Sequence, residues 1–230
     1  MSEQFENAMK LAMDAFNANN EEECKSFCNQ ALTVDPSSAN AKALKGAAVL
    51  ISFSLAGAAS DAEEALSIWE SIPGTAKIDD KYAELVIEAA FEFRARYSEA
   101  AKAHYKEFKE VKGADNDFDQ AKRNCITFMN RFSAIPALEN SVVFANSVRD
   151  LLKKYLDEGI VKTINTEMPF VRQYVNRNKD RTDEVGVIVK DISANLINKL
   201  DSLQKKTTIV KVVFGLVIAA VVIILIAVNQ

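Results

Sequence analysis

Residues 4–36 read QFENAMKLAMDAFNANNEEECKSFCNQALTVDP, and they set the architecture of the chain. Phe5, Ala8, Met9, Ala12, Met13 and Phe16 recur at helical spacing. Asn19 and Asn20 interrupt the pattern, and Asn20 followed by Glu23 fits a capping box for a second helix. That helix carries Cys24, Phe27, Cys28, Ala31 and Leu32 on one face. Asp35-Pro36 stops it, because proline lacks the amide hydrogen that the ladder needs. Two amphipathic helices joined by a tight turn form an αα-hairpin. The rest of the composition agrees: seven Gly and four Pro in 230 residues leave room for long helices and short turns.

The hairpin resembles a tetratricopeptide repeat, a helix–turn–helix unit of 34 residues. Ala8, Leu11, Ala12 and Ala15 occupy the first helix's large, leucine, small and aromatic positions; Cys24, Cys28 and Ala31 occupy the second helix's packing positions. Pro36 matches the closing proline. Ala8 and Ala15 replace bulky residues, and Cys28 replaces an aromatic. A second unit spans 39–73, with Gly46, Ala58 and Ala65 at small positions, Ser60 and Glu63 as a cap, Lys45 in place of leucine and a late Pro73. A third hairpin is expected over Asp80–Lys112, its second helix starting at Tyr97-Ser98-Glu99-Ala100-Ala101. The resemblance thus covers 1–112 and implies a stack whose concave face, lined by the first helix of each repeat, binds peptides or helices. Mapped here, those positions are Met9, Met13, Phe16, Ala43, Ala47 and Leu50. The basic and asparagine clamp with which the family holds free C-termini is missing. An exposed apolar groove invites aggregation, so the favoured expectation is that the chain's own later helices fill it.

Residues 113–181 read as a helical extension. Asp117 and Gln120 suggest a cap before Ile126, Phe128, Met129 and Phe132. Pro136 suits the first turn of a long helix whose stripe runs from Val142 to Leu156 and on to Ile164. Pro169 bends or ends it, and Phe170, Val171, Tyr174 and Val175 suggest a short helix. The basic run from Arg172 to Arg181 reads either as a solvated turn or as a contact with anionic headgroups. From 182 to 208 a stalk helix is expected, with a seam of Val185, Val189, Ile192, Leu196, Leu200 and Leu203 at 4-3-4-4-3 spacing. The seam must bury against the chain's own body, a second copy or another protein.

Val212 to Val228 is seventeen residues without a charged or strongly polar side chain. A helix of that length rises about 25 Å, which approaches the hydrocarbon thickness of a bilayer. Residues 209–228 are therefore expected to be a transmembrane tail anchor, flanked by Lys205, Lys206 and Lys211 on the cytosolic side. Gly215 and Ala219 offer a small-residue face for helix pairing, so the stalk and the span are the routes to a homo-oligomer. The expected membrane is the endoplasmic reticulum in a eukaryote and the inner membrane in a bacterium. Residues 1–120 hold 22 acidic and 12 basic side chains, whereas 121–230 hold 10 and 16, so the positive half adjoins the span.

The chemistry of catalysis is sparse. His104 is the only histidine, and no phosphate loop, dinucleotide fingerprint or nucleophile elbow occurs. Cys24 and Cys28 read as packing residues, and neither a metal nor a cofactor is expected. No basic stripe interleaved with aromatics points to nucleic acid. The sequence reads as an all-α, non-enzymatic adaptor held at a membrane and facing the cytosol, with protein partners. The alternative is a membrane-organising or fusion-related protein whose seam joins an intermolecular bundle; an anchor after a heptad-like segment resembles the layout of SNARE proteins, although this seam is shorter and lacks a central polar layer.

Overall fold

The computed structural model describes residues 2–158 and 169–203, and every described element is helical. Three hairpins come first. Helices α1 (Glu3–Asn17) and α2 (Glu21–Val34) pack side by side, joined at Asn19, whose φ of 55° makes the tight corner. Asn20 accepts a hydrogen bond from the Glu23 amide at 3.2 Å, as the capping pattern predicts. Helices α3 (Ala39–Val49) and α4 (Ala58–Glu70) form the second hairpin, and α5 (Asp80–Phe108) and α6 (Ala114–Phe132) the third. Neighbouring hairpins stack through α2 on α3, α3 on α5 and α4 on α6, which is consistent with a helical repeat protein.

The second hairpin shows why small residues matter. Ala43, Gly46 and Ala47 on α3 and Ala58 and Ala65 on α4 are buried, letting the backbones approach closely. Trp69 fills the space left by Gly46, and its indole Nε1 donates to the Ala43 carbonyl at 3.0 Å.

Several local expectations differ from what the chain adopts. The break expected before Tyr97 does not occur: α5 continues through it for 29 residues, because no Gly, Pro or Asn interrupts Phe91–Ala101. The third hairpin is closed by α6 instead. Helix α4 starts at Ala58, ahead of the Ser60 cap, and α6 starts at Ala114 after Gly113, ahead of Asp117. Gly113 takes a φ of 100°, a conformation that glycine adopts without steric cost. The long helix expected from Pro136 is two: α7 (Pro136–Glu139) ends at Asn140, and Ser141 caps α8 (Val142–Asp157) by accepting from the Phe144 amide.

The last described helices are α9 (Pro169–Asn178) and α10 (Glu184–Asp191), which continues through a π-helical turn, Ile192–Ile197, to residue 203. The helix expected from Thr182 thus begins at Glu184, where Asp183 accepts from the Gly186 amide at 3.1 Å. Gly186 is required there: a Cβ would stand 2.3 Å from the Arg181 carbonyl oxygen.

A ladder of rings ties these parts together. Phe93 on α5 meets Phe128 at 5.2 Å, Phe132 meets Trp69 at 5.2 Å and Phe144 at 5.7 Å, and Phe144 meets Tyr174 edge-on at 5.0 Å. Each such ring buries enough surface that its removal to alanine costs about 3–5 kcal/mol. Among the described residues no helix is long and apolar enough to cross a membrane. The expected anchor at 209–228 and its flanking Lys205, Lys206 and Lys211 lie outside the described residues, as does the continuation past Gly159.

Candidate interaction furrow

Helices α1, α3 and α5 run parallel, each being the first of its hairpin. Their shared face holds a furrow with two deeper places. One, of about 360 Å³, collects the starting ends: Met9 and Met13 of α1, Asn40 of α3, and Asp79 and Tyr82 at α5. The other, of about 280 Å³, collects the finishing ends of α1 and α3 (Phe16, Ala47 and Leu50) and the first half of α5 (Leu85 and Ala89). From the first place to the second the residue numbers rise along all three helices, which fits the parallel arrangement. Helix α3 is the floor, while α1 and α5 are the walls; α1 packs on α2 and α3.

The six residues mapped from the sequence do not play one role. Met13 and Phe16 are half-buried and stand open on the α1 wall; Met9 lines the same wall but is only 5% exposed. Ala47 and Leu50 form the floor of the second place and are buried. Ala43 is fully buried and lines neither place; its carbonyl is engaged by Trp69 on the opposite side of α3. The α5 wall was not among the mapped residues. It is the stripe Leu85, Glu88, Ala89, Glu92 and Arg96, which lies in the first helix of the third hairpin, where no groove positions were mapped.

Polar groups define the ends. Asn40 and Asp79 exchange two hydrogen bonds, the Asn40 amide donating to the Asp79 carboxylate at 2.8 Å and the Asp79 backbone amide donating to Asn40 Oδ1 at 2.9 Å. These hold α5 against α3 at the first place. At the other end Arg96 donates to the carbonyls of Leu50 at 2.7 Å and Ile51 at 3.2 Å, satisfying the exposed end of α3. No group of three or more His, Cys, Asp or Glu residues arranged to hold a metal is present among the described residues.

Met9, Ala43, Ala47 and Leu50 are buried within the chain, whereas Met13 and Phe16 are half-buried. The later described helices α8, α9 and α10 line neither place. They are drawn to the other side, where the ring ladder lies: α8 packs on α5, and α9 on α6. The stalk seam is buried there too. Val185, Val189, Ile192 and Leu200 are at most 2% exposed, Leu196 is buried and Leu203 is partly buried, with α8 and α9 as their neighbours. The basic run Arg172–Arg181 serves the same corner. Arg172 pairs with Asp201; Arg177 donates to Glu139 at 2.7 Å and to the Ser133 carbonyl at 2.7 Å; Arg181 donates to Asn140 at 2.6 Å and pairs with Asp183.

The cysteines are structural in their setting. Cys24 and Cys28 are fully buried one turn apart, and hydrogen bonding to Cys24 together with burial pushes the Cys28 thiol well above its usual range. A second depression, of about 450 Å³ between α5, α6 and the loop at Leu55, carries His104 on its rim. Asp117, Gln120 and Asn124 line it as well.

Neither a family model, nor a curated protein, nor a solved structure matches the chain.

Proposed function

We propose that the chain is a non-enzymatic interaction scaffold of the tetratricopeptide-like kind, held at a bilayer through residues 209–228, whose α1/α3/α5 furrow receives a segment of another protein. The observation that carries the reading is the furrow itself: half-buried Met13 lines one place, and half-buried Phe16, Leu85 and Ala89 line the other over buried Ala47 and Leu50. Methionine side chains repack around different apolar surfaces, which suits a helix-in-groove contact. The seventeen-residue apolar run from Val212 supports the tether. Tethering raises the effective concentration of a membrane-bound partner, so a modest groove suffices.

The burial of Val185, Val189, Ile192, Leu196 and Leu200 within the chain's own body favours this reading over an intermolecular bundle, which needs that seam free.

The test compares membranes floated from cells that express the full chain or its Met13→Glu/Phe16→Glu variant. Both chains float, and a co-floating partner is lost from the variant alone. A chain left in the aqueous fraction contradicts the tether; a partner retained by the variant contradicts the furrow.

A further inference from the structure

We infer that the occupant of the furrow is a basic amphipathic helix of about three turns. The inference rests on the furrow being a protein-binding site and adds the chemistry of what binds.

Length comes first. Phe5 and Phe16 bracket the α1 wall, and eleven residues of helix rise about 16 Å, or three turns. An amphipathic helix of that length presents apolar side chains at i, i+3, i+4 and i+7 to the half-buried Met13, Phe16, Leu85 and Ala89. Charge decides the flanks. On α1, Glu6 and Asp14 line the furrow on either side of Lys10; on α5, Glu88 and Glu92 line it. These four carboxylates are exposed, and among the described residues Glu6, Asp14 and Glu88 form no ion pair. Three cations share the rim: Lys10, Lys81 and Arg96. Arg96 is spent on the Leu50 and Ile51 carbonyls, with Glu92 at 3.7 Å, and Lys81 lies over the Tyr82 ring at 4.6 Å. Lys10 and Lys81 are both exposed. The lining of the furrow thus holds five carboxylates, Glu6, Asp14, Asp79, Glu88 and Glu92, against three cations, Lys10, Lys81 and Arg96, an excess of negative charge. A helix with lysine or arginine on both sides of its apolar stripe answers both walls at once. A helix with acidic flanks is repelled, which is how charge sets specificity in contacts whose affinity comes from apolar burial.

The experiment uses the full chain in a non-ionic detergent, so that no lipid charge competes. Two synthetic helices of about twelve residues share one leucine stripe; one carries lysine on both flanks and the other glutamate. The lysine helix binds more tightly by about tenfold or more, and the preference shrinks as salt rises. Glu88→Lys/Glu92→Lys, both exposed and so tolerant of substitution, abolishes the preference; circular dichroism confirms its helicity. Equal binding of the two peptides overturns the inference while leaving the furrow a binding site. Binding of neither overturns the furrow reading as well. Furrow-dependent self-association, detected by sedimentation and removed by Met13→Glu, makes a second copy the occupant and also overturns the inference.

Discussion

The indole of Trp69 stands where a side chain on residue 46 would begin: a Cβ built on Gly46 falls 2.3 Å from Nε1. The same nitrogen donates to the Ala43 carbonyl, so the ring cannot swing aside without losing its hydrogen bond. Gly46→Ala therefore forces α3 and α4 apart and destabilises the chain by about 1–3 kcal/mol. Chemical denaturation of both proteins checks this; an unchanged midpoint means that the hairpin adapts at no cost.

Tyr174 is fully buried against Phe144, and its hydroxyl has no hydrogen-bond partner among the described residues. Burial accordingly pushes its ionisation above the usual phenol range. Tyr174→Phe keeps the ring and removes an unsatisfied polar atom, so stability is unchanged or rises by up to about 1 kcal/mol. A loss of more than that, read from thermal unfolding, indicates that the hydroxyl is satisfied.

The Arg181 guanidinium and the Gly186 amide hold the Asp183 carboxyl down to about 2. A depressed folded value means that the carboxylate stabilises the cap fully above about pH 4 and loses this as the pH falls through about 2. Asp183→Asn thus flattens the acid limb of the stability profile between those values and leaves its shape near neutrality unaltered. A series of urea unfolding curves from pH 2 to pH 7 makes the comparison, and identical acid limbs rule this role out.

Substitution by glutamate separates wall from core among the six mapped groove positions. Met13→Glu and Phe16→Glu place charge at half-open sites and cost about 1 kcal/mol each. Ala43→Glu buries an unpaired carboxylate beside Trp69 and costs about 3–5 kcal/mol or prevents folding. Equal effects at all three, in soluble yield and melting temperature, contradict the burial pattern.

What the sequence revealed follows from how local each signal is. The first hairpin was legible because apolar spacing, the Asn20 cap and Pro36 all lie within 33 residues and agree. The long α5 was not, because a residue pattern typical of a helix start does not end the helix before it; only a breaker does, and none precedes Tyr97. Starts at Ala58 and Ala114 were missed because Gly57 and Gly113 cap without side chains, leaving Ser60 and Asp117 as decoys. Half of the furrow could be read from α1 and α3. Its α5 wall and its acidic border depend on which residues stacking brings together, a non-local fact that spacing does not encode. The seam from Val185 to Leu203 was visible as apolar, but its partner was chosen by the ring ladder that recruits α8 and α9.

The most direct measurement places a photo-reactive phenylalanine analogue at Phe16 of the full chain in intact membranes. Illumination is predicted to join the chain to a different membrane-associated polypeptide through a lysine- or arginine-rich helical segment identified by mass spectrometry, and Met13→Glu suppresses the product. Products that join Phe16 only to the chain's own residues, or none from a chain that sediments as an aqueous monomer, contradict the account.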